Sequence, residues 1–546
     1  MESGSKSSRD TEQLHQLGYA QELRRGMKTF SNFAVSFTII SILSGCLTLF
    51  GFAMNTGGPA VMTLGWLFVG AFTTLVALGM AEVASSYPTA GGLYYWAAKL
   101  APASGRNPAK WSWFVGWFNL IGQVAVTAGI DFGLALFTTA FLNLAFAITV
   151  TPTVTIAVYG VMLVLHALLN TFGISLVKLL NDVSVWWHIA GVSIIVVVCV
   201  LLNQHTRTNL GTVFTTTVNN TGADATIFPG FLFLGIPLYV ALIGLLNAQY
   251  TLTGYDASAH MSEETHDADT SAPRGIVFSV VISVIFGFIL LVAMNVGITP
   301  EKIFVGMTAG VPDGTTVDGY THALQSATGV PPVQIWIDAV GQSLGMFVLL
   351  VVIGAQFFCG MSSVTANSRM IYAFSRDGAI PGSSFWHRIN KRTRTPTNSI
   401  WLAAAGAFIL GLPYLFSSVA YFAITSIAVI GLYVAYIAPV FLRLMAKDKF
   451  QDGPWTLGRW SRPIGIVATI WVVFIFFLFM LPQLFPVMDD NGLVLQNLNY
   501  TPVVFLVVLG GAAIWYFVSA KNWFKGPKVQ GTAEELRAIE QDLDVI

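Results

Sequence analysis

Charge is scarce in this chain: Asp, Glu, Lys and Arg make up 10% of its 546 residues, against about 25% in an average soluble domain. The 27 acidic and 27 basic side chains cancel, so net charge singles out no partner, and no nucleic acid is expected. Cysteine is nearly absent. Cys46, Cys199 and Cys359 all fall in apolar runs, which argues against a disulfide framework or a metal site. No nucleotide loop, metal-ligand cluster or Ser-His-Asp spacing emerges, so neither an enzyme nor a cofactor is expected. Nothing resembles a cleavable signal peptide. The first thirty residues are polar, with Arg24, Arg25 and Lys28 just before the first apolar run, and read as a cytoplasmic tail.

What is abundant is apolar: 55% of the residues are hydrophobic and mean hydropathy is +0.69. The composition is that of an all-α, polytopic membrane protein, with the lipid bilayer as its surroundings. A span needs about 20 mostly apolar residues. On that basis the chain offers twelve, at 31–57, 60–85, 111–147, 153–170, 181–203, 230–260, 275–298, 338–374, 398–415, 418–443, 462–484 and 501–520. Residues 90–102 are too short and polar to span, and read as an amphipathic interfacial helix. Lys and Arg test this map. With the amino terminus inside, all of them except Arg207 and Lys302 fall on the cytoplasmic side, as the positive-inside rule requires. Both termini are then cytoplasmic, the long outside loops are 204–229 and 299–337, and a plasma-membrane location is expected.

Two of the spans carry residues that a lipid-facing helix does not need. The stretch SILSGCLTLFGF (41–52) contains Ser41, Ser44, Gly45 and Thr48, and YTLTGYDASAH (250–260) contains Thr253, Gly254 and Asp256. In hydrocarbon, unwound backbone survives only where it lines a protein cavity. A helix broken at Ser44-Gly45 or Thr253-Gly254 frees amides that suit an anion and carbonyls that suit a cation. Paired interruptions at corresponding positions of two repeats point to a transporter's binding site, and spans one and six correspond if the repeat is five helices long. The plainer reading is that small residues let helices pack closely. A channel would need a continuous polar lining, whereas the polar residues here concentrate at two places.

Three segments carry a resemblance: MAEVASSYPTAGGLYYW (80–96), TGYDASAHMSEET (253–265) and CGMSSVTANSRMIYAFSRDGAIP (359–381). They are similar to signature segments of the amino acid–polyamine–organocation transporter superfamily. More narrowly they resemble its amino acid/choline branch, which includes fungal GABA and choline permeases and plant bidirectional amino acid transporters. The resemblance runs from about Gly18 to Trp523 and implies a LeuT-like fold of two inverted five-helix repeats plus two peripheral helices. The organisation implied is a tail (1–30), a first repeat (31–203), an extracellular loop (204–229), a second repeat (230–443), peripheral helices eleven and twelve (444–520) and a second tail (521–546). It also implies a secondary active carrier of amino acids or related amines such as GABA, working by alternating access. A choline or polyamine carrier and an amino acid exchanger are the alternatives.

The resemblance also implies roles for residues at the two breaks. The amides of Gly45, Cys46 and Leu47 would receive a substrate carboxylate, with carbonyls near Ser41 and Ile42 facing its amine. Carbonyls around Tyr250 and Thr253 would complete the amine site, and Tyr255 would be an aromatic lid. His188, about seven residues into span five and so about 10 Å along it, stands where proton-coupled relatives often have a lysine. Ser362 and Ser363 could instead ligate sodium; a cation at His188 would repel it, so a proton is the expected partner. Two acids at membrane depth mark functional candidates on their own account. Asp256 either pairs with a substrate ammonium or caps the second half of span six, and Asp131 either reaches the cavity or bonds to backbone freed by Gly129 and Gly133. Glu82, Arg369, Arg376 and Asp377 read as gate or scaffold electrostatics at the inner face.

Overall fold

The computed structural model describes residues 2–23, 25–223, 230–304, 316–417, 419–490 and 492–544. The outside loops expected at 204–229 and 299–337 therefore include residues, 224–229 and 305–315, that lie outside the described ones. Eleven helices among the described residues are long and apolar enough to cross a membrane. They are Thr29–Thr48, Gly58–Ser86, Pro108–Phe146, Pro152–Phe172, Ser175–Leu201, Ala268–Gly297, Gln342–Arg376, Thr397–Leu415, Ala420–Lys449, Gly458–Leu478 and Thr501–Trp523. A shorter apolar helical stretch, Leu238–Thr251, falls between the fifth and the sixth of these. Counting it in chain order gives twelve apolar segments, numbered one to twelve below.

Segment six is short for a physical reason. Its helix stops at Thr251 and resumes only as Ala257–His260, because Gly254 takes a left-handed φ of 86° that no α-helix accommodates. Segment five starts earlier than the hydropathy run suggests: its helix begins at Ile174, so His188 lies deeper along it than the sequence implied. Pro152 stands at the start of segment four and Pro331 at the start of a short helix, Pro331–Val340, where a missing amide removes no helical bond.

Segment three packs along segments eight and ten, and segment seven along segments one and two. Buried Trp66, Trp113 and Trp336 fill this interior. The outward-facing surface is the opposite: Phe68, Val161, Leu165, Ile409 and Val507 are all exposed, as side chains solvated by lipid tails are. The helix expected at 90–102 forms as Gly92–Ala103, but it is not a surface helix. Leu93, Tyr94, Tyr95, Trp96 and Ala97 are buried, because the amino-terminal segment and the end of segment eight close over it: Tyr95 donates to the Leu17 carbonyl at 2.9 Å and Tyr94 to Asp377 at 2.7 Å. Strands occur, among the described residues, only as three short antiparallel hairpins outside the segments.

Candidate functional site

Segment one breaks slightly before the expected point. Its first helix ends at Ile40, Ser41 takes a left-handed φ of 32°, and helix resumes at Gly45. The unwound residues are thus Ser41 to Ser44, with Gly45 opening the second half rather than lying within the gap. A serine in the left-handed region is unfavourable unless its surroundings hold it. Here they do: the Ser41 amide donates to the Phe37 carbonyl at 3.1 Å, and the Ser41 hydroxyl lies 2.7 Å from His188 Nε2. His188 Nδ1 is 2.7 Å from the Ser184 carbonyl, so Nδ1 donates there and Nε2 accepts from Ser41. The Ser41 carbonyl takes the amides of Ser44 (2.8 Å) and Gly45 (3.0 Å), and the Ser44 carbonyl takes that of Leu47 (3.2 Å).

The second break faces the first. A Cβ placed on Gly45 would lie 2.5 Å from Thr251 Oγ1, and one on Gly254 would lie 2.2 Å from Ile39 Cγ2, so each glycine packs directly against a residue of the other segment with no room for a side chain of its own. Within the second break, the Thr253 hydroxyl donates to the Tyr250 carbonyl at 2.7 Å, and Tyr433 donates to the Leu252 carbonyl at 2.5 Å. Tyr255 is buried with its ring 4.7 Å from that of Tyr436. Asp256 stands at the start of the second half-helix, yet its side chain makes no capping bond. It binds across to other segments instead, accepting from Tyr436 (2.7 Å) and Gln123 (2.7 Å) and lying 3.2 Å from His260 Nε2.

Sequence reasoning missed three groups around these breaks. Gln356 donates to the Leu43 carbonyl at 3.3 Å and Asn247 to the Cys46 carbonyl at 3.2 Å, while Cys359 donates to the Ile39 carbonyl at 3.2 Å. Gln356 Oε1, Asn247 Oδ1 and the Tyr250 hydroxyl are buried without a hydrogen-bond partner among the described residues. Native interiors hold few such groups, and each calls for an explanation. The only signal in the sequence was an amide inside an otherwise apolar run, which is weak without knowing what it faces. On the side away from the two tails, a cavity of about 260 Å³ reaches Leu47, Thr48, Phe52 and Tyr421 just past the first break.

The expected ion-coupling groups are distributed differently. Ser362 donates to Asn181 at 2.5 Å, and Ser363 is 2.9 Å from the Thr127 hydroxyl, so both hydroxyls already have protein partners. Asp131 does not reach for the backbone at Gly129 or Gly133. Its Oδ1 lies 2.6 Å from His166 Nδ1, and both side chains are wholly buried.

Most of the residues expected to act as gate or scaffold form a buried layer on the face that carries both tails. Arg369 pairs with Glu264 at 2.9 Å and Arg376 with Glu263 at 3.3 Å, and all four side chains are at most 5% exposed. Glu263 also takes the Ala90 amide at 3.0 Å, and Arg376 lies 3.9 Å over the Tyr19 ring. Asp377 accepts from Tyr94 (2.7 Å), Tyr19 (3.3 Å) and the Lys528 amide (3.0 Å). Burial pushes the Asp377 carboxyl above its ordinary range, with Arg376 opposing; burial and then Asp377 push the Tyr19 hydroxyl up. Glu82 belongs to a separate cluster, where it takes the Leu457 amide at 3.2 Å and the Ser461 hydroxyl at 2.5 Å, and lies 3.5 Å from Arg443. Glu263 and Glu264 stood inside a quoted motif without being recognised as the partners of the two arginines.

The geometry is that of two interrupted helices apposed in a buried, partly polar centre, and comparison with known proteins agrees. The family model for amino acid permeases matches residues 27–509. An amino-acid permease of Arabidopsis thaliana, BAT1, is 40% identical over 94% of this chain and 95% of its own. Its homologue in Oryza sativa is 41% identical over 94% of each. The GABA-specific permease of Saccharomyces cerevisiae is 30% identical over 96% of this chain and 86% of its own. The chain belongs to the amino acid permease family and is a multi-pass transport protein.

Proposed function

We propose that the protein is a secondary active carrier for amino acids or related amines such as GABA, working by alternating access between the two broken segments. The observation that carries this is the apposition of the breaks, Ser41–Ser44 against Leu252–Asp256, with unpartnered polar groups buried beside them. A substrate ammonium would find the Asn247 and Gln356 oxygens, and a carboxylate at Gly45 to Leu47 would have to take the Gly45 and Leu47 amides from the Ser41 and Ser44 carbonyls. Tyr255 and Tyr250 would bound the site. Substrate would sit between two inverted five-helix repeats, 31–203 and 230–443, with 444–520 peripheral. Both tails would be cytoplasmic, which follows the charge distribution, and a plasma-membrane location fits an uptake role.

The layer built from Arg369, Glu264, Arg376 and Glu263 would be the inner gate, closed here, while the cavity at Thr48 and Phe52 would be the outer entry. Transport would be coupled to protons rather than sodium, since buried titratable imidazoles lie beside the breaks. Three buried imidazoles, His166, His188 and His260, stand near the breaks as candidates to carry that proton. Uptake of labelled amino acids, GABA and choline into proteoliposomes tests the reading. Saturable uptake of an amino acid or GABA, with counter-exchange, supports it. Saturable uptake of choline alone moves the substrate class, and linear flux without counter-exchange overturns the carrier.

A further inference from the structure

We propose that Asp131 and His166 form one proton-binding site, and that this pair, not His188, loads the coupling proton. The inference rests on the reading of the protein as a proton-coupled carrier, and it assigns the ion to a place in the fold. Both side chains are fully buried, on segments three and four, with Asp131 Oδ1 2.6 Å from His166 Nδ1. Asp131 Oδ1 and Oδ2 and His166 Nδ1 and Nε2 are all buried without a well-formed hydrogen bond among the described residues, so the two groups meet at ion-pair distance and have no other polar partner. A structural ion pair normally satisfies its remaining atoms with further bonds, and this one has none on either partner.

Segment eight is shaped around the pair. A Cβ on Gly360 would lie 2.8 Å from Asp131 Oδ1 and 2.5 Å from His166 Cε1, so only glycine lets that helix close over them. The neighbouring Cys359 donates to the Ile39 carbonyl just before the first break. On the other side, Gly129, two residues before Asp131, packs on the Tyr250 hydroxyl ahead of the second break. The pair is thus linked through one neighbour to each broken segment.

Its surroundings decide the charge. Tyr159 of segment four, Tyr250 of segment six and Cys359 of segment eight lie within range of the Asp131 charge. The Phe357 ring lies 4.5 Å from His166, and Tyr421 of segment ten reaches the Gly129 carbonyl at 3.5 Å. Segment nine contributes the Ala407 carbonyl, which Tyr159 bonds. None of these is a cation, and among the described residues no Lys or Arg pairs with Asp131. The pair takes up one proton, held on the imidazole or on the carboxyl 2.6 Å away, and no other bond forms or breaks. Loaded, the pair is neutral whichever partner holds the hydrogen. Unloaded, it is a lone carboxylate charge in an apolar interior, which is strongly unfavourable. An occluded centre therefore needs the proton, and release waits for the centre to open. His188 lacks this property. It faces the Ser184 carbonyl, the Ser41 hydroxyl and the edge of Phe37, so a neutral ring satisfies both nitrogens and a second proton would create an unpaired cation.

The test uses the full-length purified protein, wild type and the Asp131→Asn, His166→Gln and His188→Gln variants, each first shown by thermal melting to be folded. Infrared difference spectra across a pH titration read the carboxyl group directly, through its carboxylic-acid and carboxylate stretches. The proposal expects a pH-dependent buried carboxyl signal that Asp131→Asn removes and His166→Gln shifts, with His188→Gln leaving it in place. In proteoliposomes it expects loss of pH-gradient-driven accumulation in the first two variants and its survival in the third. A signal untouched by Asp131→Asn, or gradient-driven accumulation by that variant at the wild-type level, overturns the site. If wild type accumulates none of the amino acids offered, the transport reading fails instead, and the infrared titration still decides whether the pair binds a proton. Should both variants fail to fold, the substitution Gly360→Ala, which crowds the pair without removing a titratable group, must shift the carboxyl signal; an unshifted signal counts against the pair.

Discussion

Gly45 and Thr251 hold the two broken segments so close that a single added methyl at Gly45 would sit 2.8 Å from the Thr251 Cα and 2.5 Å from its hydroxyl. Contact this tight belongs to a centre that is shut. Any side chain at Gly45 is an obstacle to closing, in addition to whatever it does to a bound carboxylate. Gly45→Leu is expected to abolish uptake while the protein still inserts and purifies. Gly45→Ala should lose part of it, since overpacking of one methylene-sized group costs about 1–3 kcal/mol. Thr251→Gly introduced beside Gly45→Ala should restore uptake by returning the space. Initial-rate transport by the three variants checks this, and failure of the double variant to recover would place the defect in substrate contact rather than closure.

Arg369 and Glu264 are a buried pair, 1% and 4% exposed. Removing one partner leaves a lone buried charge, at a cost of about 3–5 kcal/mol, whereas replacing both by neutral groups is far milder. Arg369→Met should lower the melting temperature of the purified protein sharply, and Arg369→Met with Glu264→Gln should recover most of the loss. The same single variant should also open the tail side, measured as faster labelling of a cysteine introduced at Ser362. Additive losses in the double variant would mean that the two side chains do not act as a pair.

How much of this could be read from the sequence depends on the range of the interaction involved. Both breaks were legible, because small polar residues in an apolar run weaken a helix locally; the first was displaced by a few residues because Ser41, not Gly45, supplies the left-handed turn. Segment six was expected to span 230–260 because hydropathy does not register a break, and its helix ends at Thr251. The buried ion-pair layer was half legible. Arg369 and Arg376 were recognised as charges needing a purpose, but Glu263 and Glu264 lie more than a hundred residues away, and nothing local pairs them. His166 escaped notice for the same reason: alone in VLHALLN it reads as an isolated histidine, and only the packing of segments three and four joins it to Asp131.

Asp256 takes hydrogen bonds from Tyr436 and Gln123 and touches His260, so its oxygens are occupied by the protein before any substrate arrives. It is therefore expected to brace the second break, not to select the substrate. Tyr436→Phe should destabilise the protein by about 1–3 kcal/mol, the effect of leaving a charged acceptor one bond short. The order of preference among amino acids, GABA and choline should not change. Competition assays on that variant decide it: a reordered preference would bring Asp256 into direct contact with the substrate amine.

His188 and Ser41 supply the sharpest distinction between coupling and support. The serine sits in a strained left-handed conformation and its hydroxyl is 2.7 Å from the imidazole, which is itself anchored on the Ser184 carbonyl. Removing the ring should loosen the first break and slow turnover by about tenfold, the cost of one buried hydrogen bond left unmade. It should not alter how uptake responds to protons. Uptake by the wild-type carrier is expected to be faster at acidic outside pH, where the Asp131–His166 pair is loaded from the outside, and indifferent to replacing sodium with potassium. His188→Ala should keep that shape at a lower level, whereas His166→Gln should flatten it. The assignment follows from where a compensating charge lies: His166 has a carboxylate at 2.6 Å, and His188 has only neutral partners. A pH profile flattened by His188→Ala and left intact by His166→Gln would reverse the assignment and make the histidine on segment five the proton carrier.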